Sequence, residues 1–166
     1  MDPLEQILAI EEIRKLKARR VRCMDEKDWA GYAACHTADA ISYTFQSENT
    51  GATAPIVGRD AIAERLAAQL QNRTTVHHVH APEIEIISTT TATGIWPMED
   101  MLWWEENGKK RWLHGYGHYH ETYEKVDSHW LIKSRSLTRI RVDTGEGVRG
   151  DPLRAPAATE EAAGLS

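Results

Sequence analysis

The chain has 166 residues, 41% of them apolar and 27% charged, the size and composition of one globular domain, which excludes a fibrous or wholly disordered chain. Its 25 acidic and 20 basic side chains leave a formal charge of −5, which argues against nucleic acid or a membrane as partner, because both attract a basic face. No stretch offers the roughly 20 apolar residues that cross a bilayer.

Residues 4–24 read as a first helix, because Ile13, Leu16 and Met24 keep one face apolar. Asp28 caps a short second helix whose buried side is Trp29, Tyr32 and Ala33. A strand over 40–45 follows, then a loop over 46–55 rich in Ser, Asn, Thr and Gly. Gly58-Arg59-Asp60 leads into a third helix, with Ile62, Leu66 and Leu70 four apart. Beyond Asn72 the spacing changes from helical to alternating and predicts four long strands over 75–87, 91–106, 109–126 and 128–144. Asn107-Gly108 signals a tight hairpin, and Asp127 with Ser128 marks a second turn. The tail over 145–166 has few apolar residues and reads as flexible. Helices first and a strand meander after them predict one α+β domain, a curved antiparallel sheet wrapping the helices.

Some polar residues stand where the pattern wants apolar ones. Arg20 is four residues from both Leu16 and Met24, in the apolar stripe of the first helix. There it either meets an acidic partner or anionic ligand, since an unpaired buried guanidinium is costly, or reaches past the stripe to water. Asp25 stands where that helix ends and the dipole disfavours a carboxylate; it either serves a partner or caps the next turn. In Thr75-Val-His77-His78-Val-His80, an extended backbone puts His78 and His80 on one face and His77 on the other. Further on, His114, Tyr116, His118 and His120 share a face, and Gly115 and Gly117 leave the opposite face bare, as where something packs closely. Asp100 faces the way Trp96 and Met98 do, although Pro97 also fits an exposed edge strand. Arg135, Leu137 and Arg139 share a face of the last strand, as pocket residues or as a solvated basic stripe.

Six Trp, five Tyr and eight His stand against one Phe, a bias toward rings with a polar edge that suits a pocket or a wet interface. Evenly spaced His in two strands is a pattern that zinc, iron or copper can use. No Cys accompanies them and exposed His needs no metal, so none is expected. Cys35-His36 is a weak signal for a nucleophilic pair. Gly-rich phosphate loops, Gly-x-Ser-x-Gly elbows and dinucleotide fingerprints are missing from the sequence. The opening Met-Asp-Pro-Leu-Glu lacks the layout of a secretory signal, and Cys23 and Cys35 form no framework. A reducing cytoplasm is therefore the expected location.

Taken in order, several segments together resemble the SnoaL-like branch of the nuclear transport factor 2-like superfamily over roughly residues 5–143. They are Ile13-Arg-Lys-Leu-Lys-Ala-Arg19, Met24-Asp25-Glu-Lys-Asp28-Trp29, and His77-His78-Val79-His80 with Pro82-Glu-Ile84. Then come Gly94-Ile-Trp96 with Glu99-Asp100, Tyr119-His-Glu121-Thr-Tyr123, and Trp130-Leu-Ile132-Lys133. The resemblance implies a cone-shaped α+β barrel over 1–144, enclosing a pocket between helices and sheet. Within the branch the chain is most similar to dehydratase-type members: bile acid 7α-dehydratase, scytalone dehydratase and hexachlorocyclohexane dehydrochlorinase. These pair an Asp at the end of the first helix with a His on the strand after the third.

That likeness implies Asp25 and His77 as a catalytic pair, Asp100 and Arg139 as the pocket acid and arginine, and Arg135 as the counterpart of the dehydrochlorinase arginine. The bile acid enzyme's Tyr, five residues before its Asp, is Arg20 here, so a neutral phenol has become a fixed cation. An imidazole suits the removal of a proton next to a carbonyl, and a carboxylate on its other nitrogen fixes the tautomer. Arg20 or Arg139 would hold developing negative charge, and Tyr43, Trp96 and Tyr119 would supply walls and a proton donor. The expected function is a cofactor-independent lyase that removes water from a hydrophobic hydroxylated ring compound. The alternatives are a ketosteroid-isomerase-like isomerase or polyketide cyclase, and a non-catalytic ligand-binding or assembly module. The expected partners are a small hydroxylated or ketonic substrate and further copies of the chain, as a homo-dimer or homo-trimer.

Overall fold

A computed structural model describes residues 2–43 and 54–148. Helix α1 spans Pro3–Glu26. It begins at a reciprocal capping box between Asp2 and Glu5, with Pro3 supplying a preset helical φ. It stops at Lys27, which turns left-handed (φ 63°) and returns its N–H to the carbonyls of Cys23 and Met24. Asp28 caps α2 (Trp29–Ala34) by accepting from Gly31 N–H at 2.9 Å. Tyr32 is fully buried there, while Trp29 and Ala33 are half-buried. Helix α3, Arg59–Leu70, buries Ile62, Ala63 and Leu70.

The strands are β1 (His36–Ser42), β2 (Ile56–Val57), β3 (Thr74–Val79), β4 (Glu83–Ile86), β5 (Thr91–Glu106), β6 (Lys109–Val126) and β7 (His129–Glu146). They form one sheet in the order β2-β1-β7-β6-β5-β3, with β4 also paired to β5. β5 and β6 have the bounds that alternation predicts, joined by Asn107 and Gly108 at φ 53° and 71°. Paired positive φ values match the twist of the flanking strands.

Three expectations need correction. The stretch 75–87 is two strands broken at Ala81-Pro82, because proline has no N–H to continue a ladder. β1 starts at His36 rather than 40 and runs parallel to β7, with His36 beside Ile132 and Ser42 beside Arg135. The sheet is therefore mixed rather than wholly antiparallel; curved over the helices and open between its end strands β2 and β3, it is the expected cone-shaped α+β fold. β7 ends at Glu146, with Gly145 still paired to Trp112. Residues 44–53 and the predicted tail from 149 lie outside the described residues.

Two apolar clusters hold the curved sheet on the helices. Ala9, Ile13 and Leu16 of α1 pack on Trp96, Tyr119, Tyr123, Trp130 and Ile132. Toward the other end of α1, Cys23 and Met24 pack with Tyr32, Ala40, Ile62, Leu70 and Leu102. Among the described residues no helix is long and apolar enough to cross a membrane.

Candidate active site

A cavity of about 390 Å³ opens where the two clusters meet, which is room for a small organic molecule. Met24, Leu66, Leu70, Leu102, Leu113 and Leu137 give it apolar walls. Into these walls project His77, Asp100, Tyr119, Arg73, Arg135 and Arg139.

His77 is held by its neighbour behind the wall. Asp25, in the last turn of α1, accepts from the His77 ring at Nδ1 (2.6 Å), from the His77 backbone N–H (2.9 Å) and from the Thr75 hydroxyl (2.8 Å). Lys27 Nζ donates in turn to Thr75 Oγ1 at 2.8 Å. These donors answer the helix-dipole penalty that makes Asp25 conspicuous in sequence. Burial pushes the Asp25 carboxyl up, but the bonds and attraction of His77, aided by Thr75, hold it below the usual carboxylate range. Because Nδ1 donates to Asp25, the cavity-facing Nε2 of the neutral ring carries a lone pair.

Beside His77, Asp100 pairs bidentately with Arg139, with Arg139 Nη1 2.6 Å from Asp100 Oδ1. Asp100 Oδ2 lies 3.9 Å from His77 Nε2. The β3–β5 register sets His77 directly beside Asp100, and the β5–β6 register sets Asp100 beside Gly115. A Cβ on residue 115 would overlap both the Arg139 guanidinium and the Asp100 carboxylate. The glycine therefore makes the room the ion pair occupies. Gly115→Ala is expected to destabilise the fold by about 1–3 kcal/mol and to separate the pair. Chemical denaturation of the variant measures the first effect, and a turnover assay the second.

Five of the expected site residues line the cavity: His77, Asp100, Arg139, Arg135 and Tyr119. Asp25 stands behind His77. Trp96 does not reach it, being 3% exposed in the core with Nε1 donating to Tyr123 Oη at 2.7 Å. Tyr43, half exposed at the end of β1, gives its N–H to the Arg135 carbonyl and is not among the lining residues. Arg20 is fully buried outside the cavity, where it donates to Tyr32 Oη at 3.1 Å and stacks on Tyr119.

The acid opposite Arg20 is Glu121, and a second buried cation shares it. Lys17 Nζ meets Glu121 Oε1 at 2.5 Å, and Arg20 Nη1 stands 3.9 Å from the same oxygen. Tyr123 donates to the other oxygen at 2.7 Å. Burial pushes Lys17 down to about 7 against the pull of Glu121. Burial pushes Glu121 up, yet Lys17 and Arg20 hold it down at about 2. Lys17, which is not among the expected site residues, stands four residues after Ile13 and three before Arg20, on the same buried stripe of α1. The usable signal was Glu121, whose parity matches the buried Tyr119 and Tyr123.

On the opposite face of the sheet Glu99 gathers His114 (2.8 Å), His78 (3.5 Å) and His80 (3.9 Å). Among the described residues no group of three or more His, Cys, Asp or Glu is placed to hold a metal ion. Cys35 and His36 do not face each other as nucleophile and base: Cys35 Sγ donates to the Gly31 carbonyl and His36 Nδ1 to the Tyr32 carbonyl, both fully buried.

A family model described as a SnoaL-like domain matches residues 5–136, and the chain belongs to that family. Among solved structures it is similar to a putative scytalone dehydratase from Novosphingobium aromaticivorans, with 22% identity, 84% of this chain and 89% of that one covered, and a TM-score of 0.70. It is similar also to hexachlorocyclohexane dehydrochlorinase LinA-type3 from Novosphingobium barchaimii (16% identity, 89% and 97% covered, TM-score 0.71). A third is a function-unknown protein from Mycobacterium tuberculosis (24% identity, 93% and 86% covered, TM-score 0.65). At these identities the likeness shows a shared fold.

Proposed function

We propose that this SnoaL-like chain is a cofactor-independent lyase that removes water from a hydrophobic, hydroxylated ring compound. The observation that carries the reading is the His77–Asp25 pair, set so that Nε2 opens onto an apolar cavity beside an Asp100–Arg139 pair. His77 Nε2 takes a proton from the carbon next to a carbonyl, and the C–H electrons become the new double bond. The C–O bond at the adjacent carbon breaks, and the leaving hydroxide takes the proton from His77, so only water is lost. Asp25 steadies the imidazolium between the two steps. Arg139, fixed by Asp100, holds charge that develops on the carbonyl oxygen, and Tyr119 supplies a flat wall. The relatives named as a dehydratase and a dehydrochlorinase support elimination as the reaction class.

The test is mass spectrometry of hydroxylated steroids, polyketides and aromatic ketones incubated in heavy water with wild type and His77→Ala. Loss of the mass of water in wild type alone is the expected result. Deuterium uptake without water loss would replace elimination by enolisation, the isomerase or cyclase reading. Ligand binding that survives His77→Ala, with no chemistry in either protein, would favour a binding module. The same reading includes a homo-dimer or homo-trimer, which sedimentation equilibrium measures.

A further inference from the structure

The charges around the cavity do not balance. Three arginines, Arg73, Arg135 and Arg139, face one carboxylate, Asp100. Asp100 is occupied on both oxygens by Arg139. Asp25, behind the wall, is occupied by His77 and Thr75. Arg135 makes no ion pair with a carboxylate among the described residues; its cross-strand neighbour Glu121 is taken by Lys17. Its Nε donates to Ser42 Oγ at 3.1 Å, and Ser42 is 2% exposed. One buried hydroxyl thus anchors the guanidinium by its inner nitrogen and leaves the two terminal amino groups without a described acceptor. Such a planar fork, held in place, matches an oxyanion bidentately.

The surroundings strengthen this preference. Behind Tyr119 the buried Arg20 answers Glu121, and Lys17 adds a second cation below about pH 7. A low-dielectric wall with excess positive charge favours an anion in the space before it, although the whole chain carries −5. Arg73 is different. Its guanidinium stacks on Trp104, with 4.4 Å from Cζ to the ring, and no hydroxyl or carboxylate fixes its donors among the described residues.

We propose that the substrate is an organic oxyanion, bearing a carboxylate, sulfonate or phosphate that the terminal amino groups of Arg135 hold while the reacting carbon faces His77. The proposal rests on the elimination reading above and names the substrate class of that site. It makes Arg135 a specificity determinant, because a neutral ring compound leaves that guanidinium facing an apolar wall with no acceptor.

The probe is 8-anilinonaphthalene-1-sulfonate, titrated by fluorescence beside uncharged N-phenyl-1-naphthylamine. Wild type should bind one sulfonate per chain about tenfold or more tighter than the uncharged probe, the usual worth of a charge-assisted bond. Arg135→Gln should abolish that preference while the uncharged probe binds within about twofold of wild type, which also reports an intact cavity. Arg135→Lys should keep part of it, and Arg73→Gln nearly all. Of 1-naphthoate and 1-naphthyl phosphate, the stronger displacer identifies the oxyanion. Equal binding of both probes to wild type, a preference that survives Arg135→Gln, or displacement by neither naphthyl anion overturns the proposal. Binding needs no turnover, so such a failure leaves elimination standing, whereas an intact preference without chemistry sinks elimination alone.

Discussion

Asp25→Asn should leave the fold in place and reduce turnover about 10³-fold or more, the scale of effect when the carboxylate behind a catalytic imidazole becomes an amide. The backbone N–H of His77 is a fixed donor 2.9 Å from Asp25 Oδ2. An Asn must put its one oxygen there, which turns its NH2 toward His77 Nδ1. Nδ1 then becomes the acceptor, and the ring proton moves to Nε2, into the cavity. The base is present, in nearly the same position, with its lone pair on the wrong nitrogen. Ring 15N shifts of His77 read this without any substrate: wild type should be protonated at Nδ1 when neutral, and the variant at Nε2. A variant with the wild-type tautomer, or with turnover within about tenfold of wild type, would mean that Asp25 does not orient the base.

The parts of the site that could be read in sequence are those whose placement contradicts local physics. Asp25 is conspicuous because a helix C-terminus repels a carboxylate, and the structure answers with three donors. His77 separates from His78 and His80 by strand parity alone, and the structure leaves it 8% exposed while the other two stay exposed. Gly115 is legible as a bare position, though not that the space is filled by Arg139 and Asp100. Long strands with positive-φ turns were the easiest elements, since both the alternation and the turn chemistry point to the same ends.

What was illegible depends on chain segments far apart in sequence. Lys17 and Glu121 are 104 residues apart; the stripe spacing turns Lys17 inward, but nothing local to the helix names the acid it meets. The parallel pairing of β1 with β7 is equally non-local. It matters to the site, because that pairing brings Ser42 beside Arg135. Arg20 shows an anomaly that is legible without its partner. Its place in the apolar stripe asks for an acid, and nothing local to α1 says that the acid comes from β6.

Glu121→Gln should be the most destabilising single change in the molecule, at about 3–5 kcal/mol, because it strands two buried cations. Lys17 and Arg20 are both fully buried, and Glu121 is the carboxylate that they share. In a domain of this size that loss lowers Tm by roughly 10 °C or more. The pH dependence carries the signature. Glu121 is held at about 2 against an ordinary 4.5, so its contribution is complete above 4.5 and is lost as pH falls from there to 2. Lys17 sits at about 7 against an ordinary 10.5, so the unfolded chain binds the extra proton between those values and stability rises with pH across that window. In Glu121→Gln the acid limb should vanish. The Lys17 limb should begin below 7, since the attraction that opposed its burial is gone. Adding Lys17→Met to that variant removes one stranded charge and should restore part of the loss, with the alkaline rise abolished. Denaturation of the single and double variants from pH 3 to 10 measures all of this. A single variant within about 1 kcal/mol of wild type, with both limbs intact, would mean that Lys17 and Glu121 are not ionised against each other beneath the cavity.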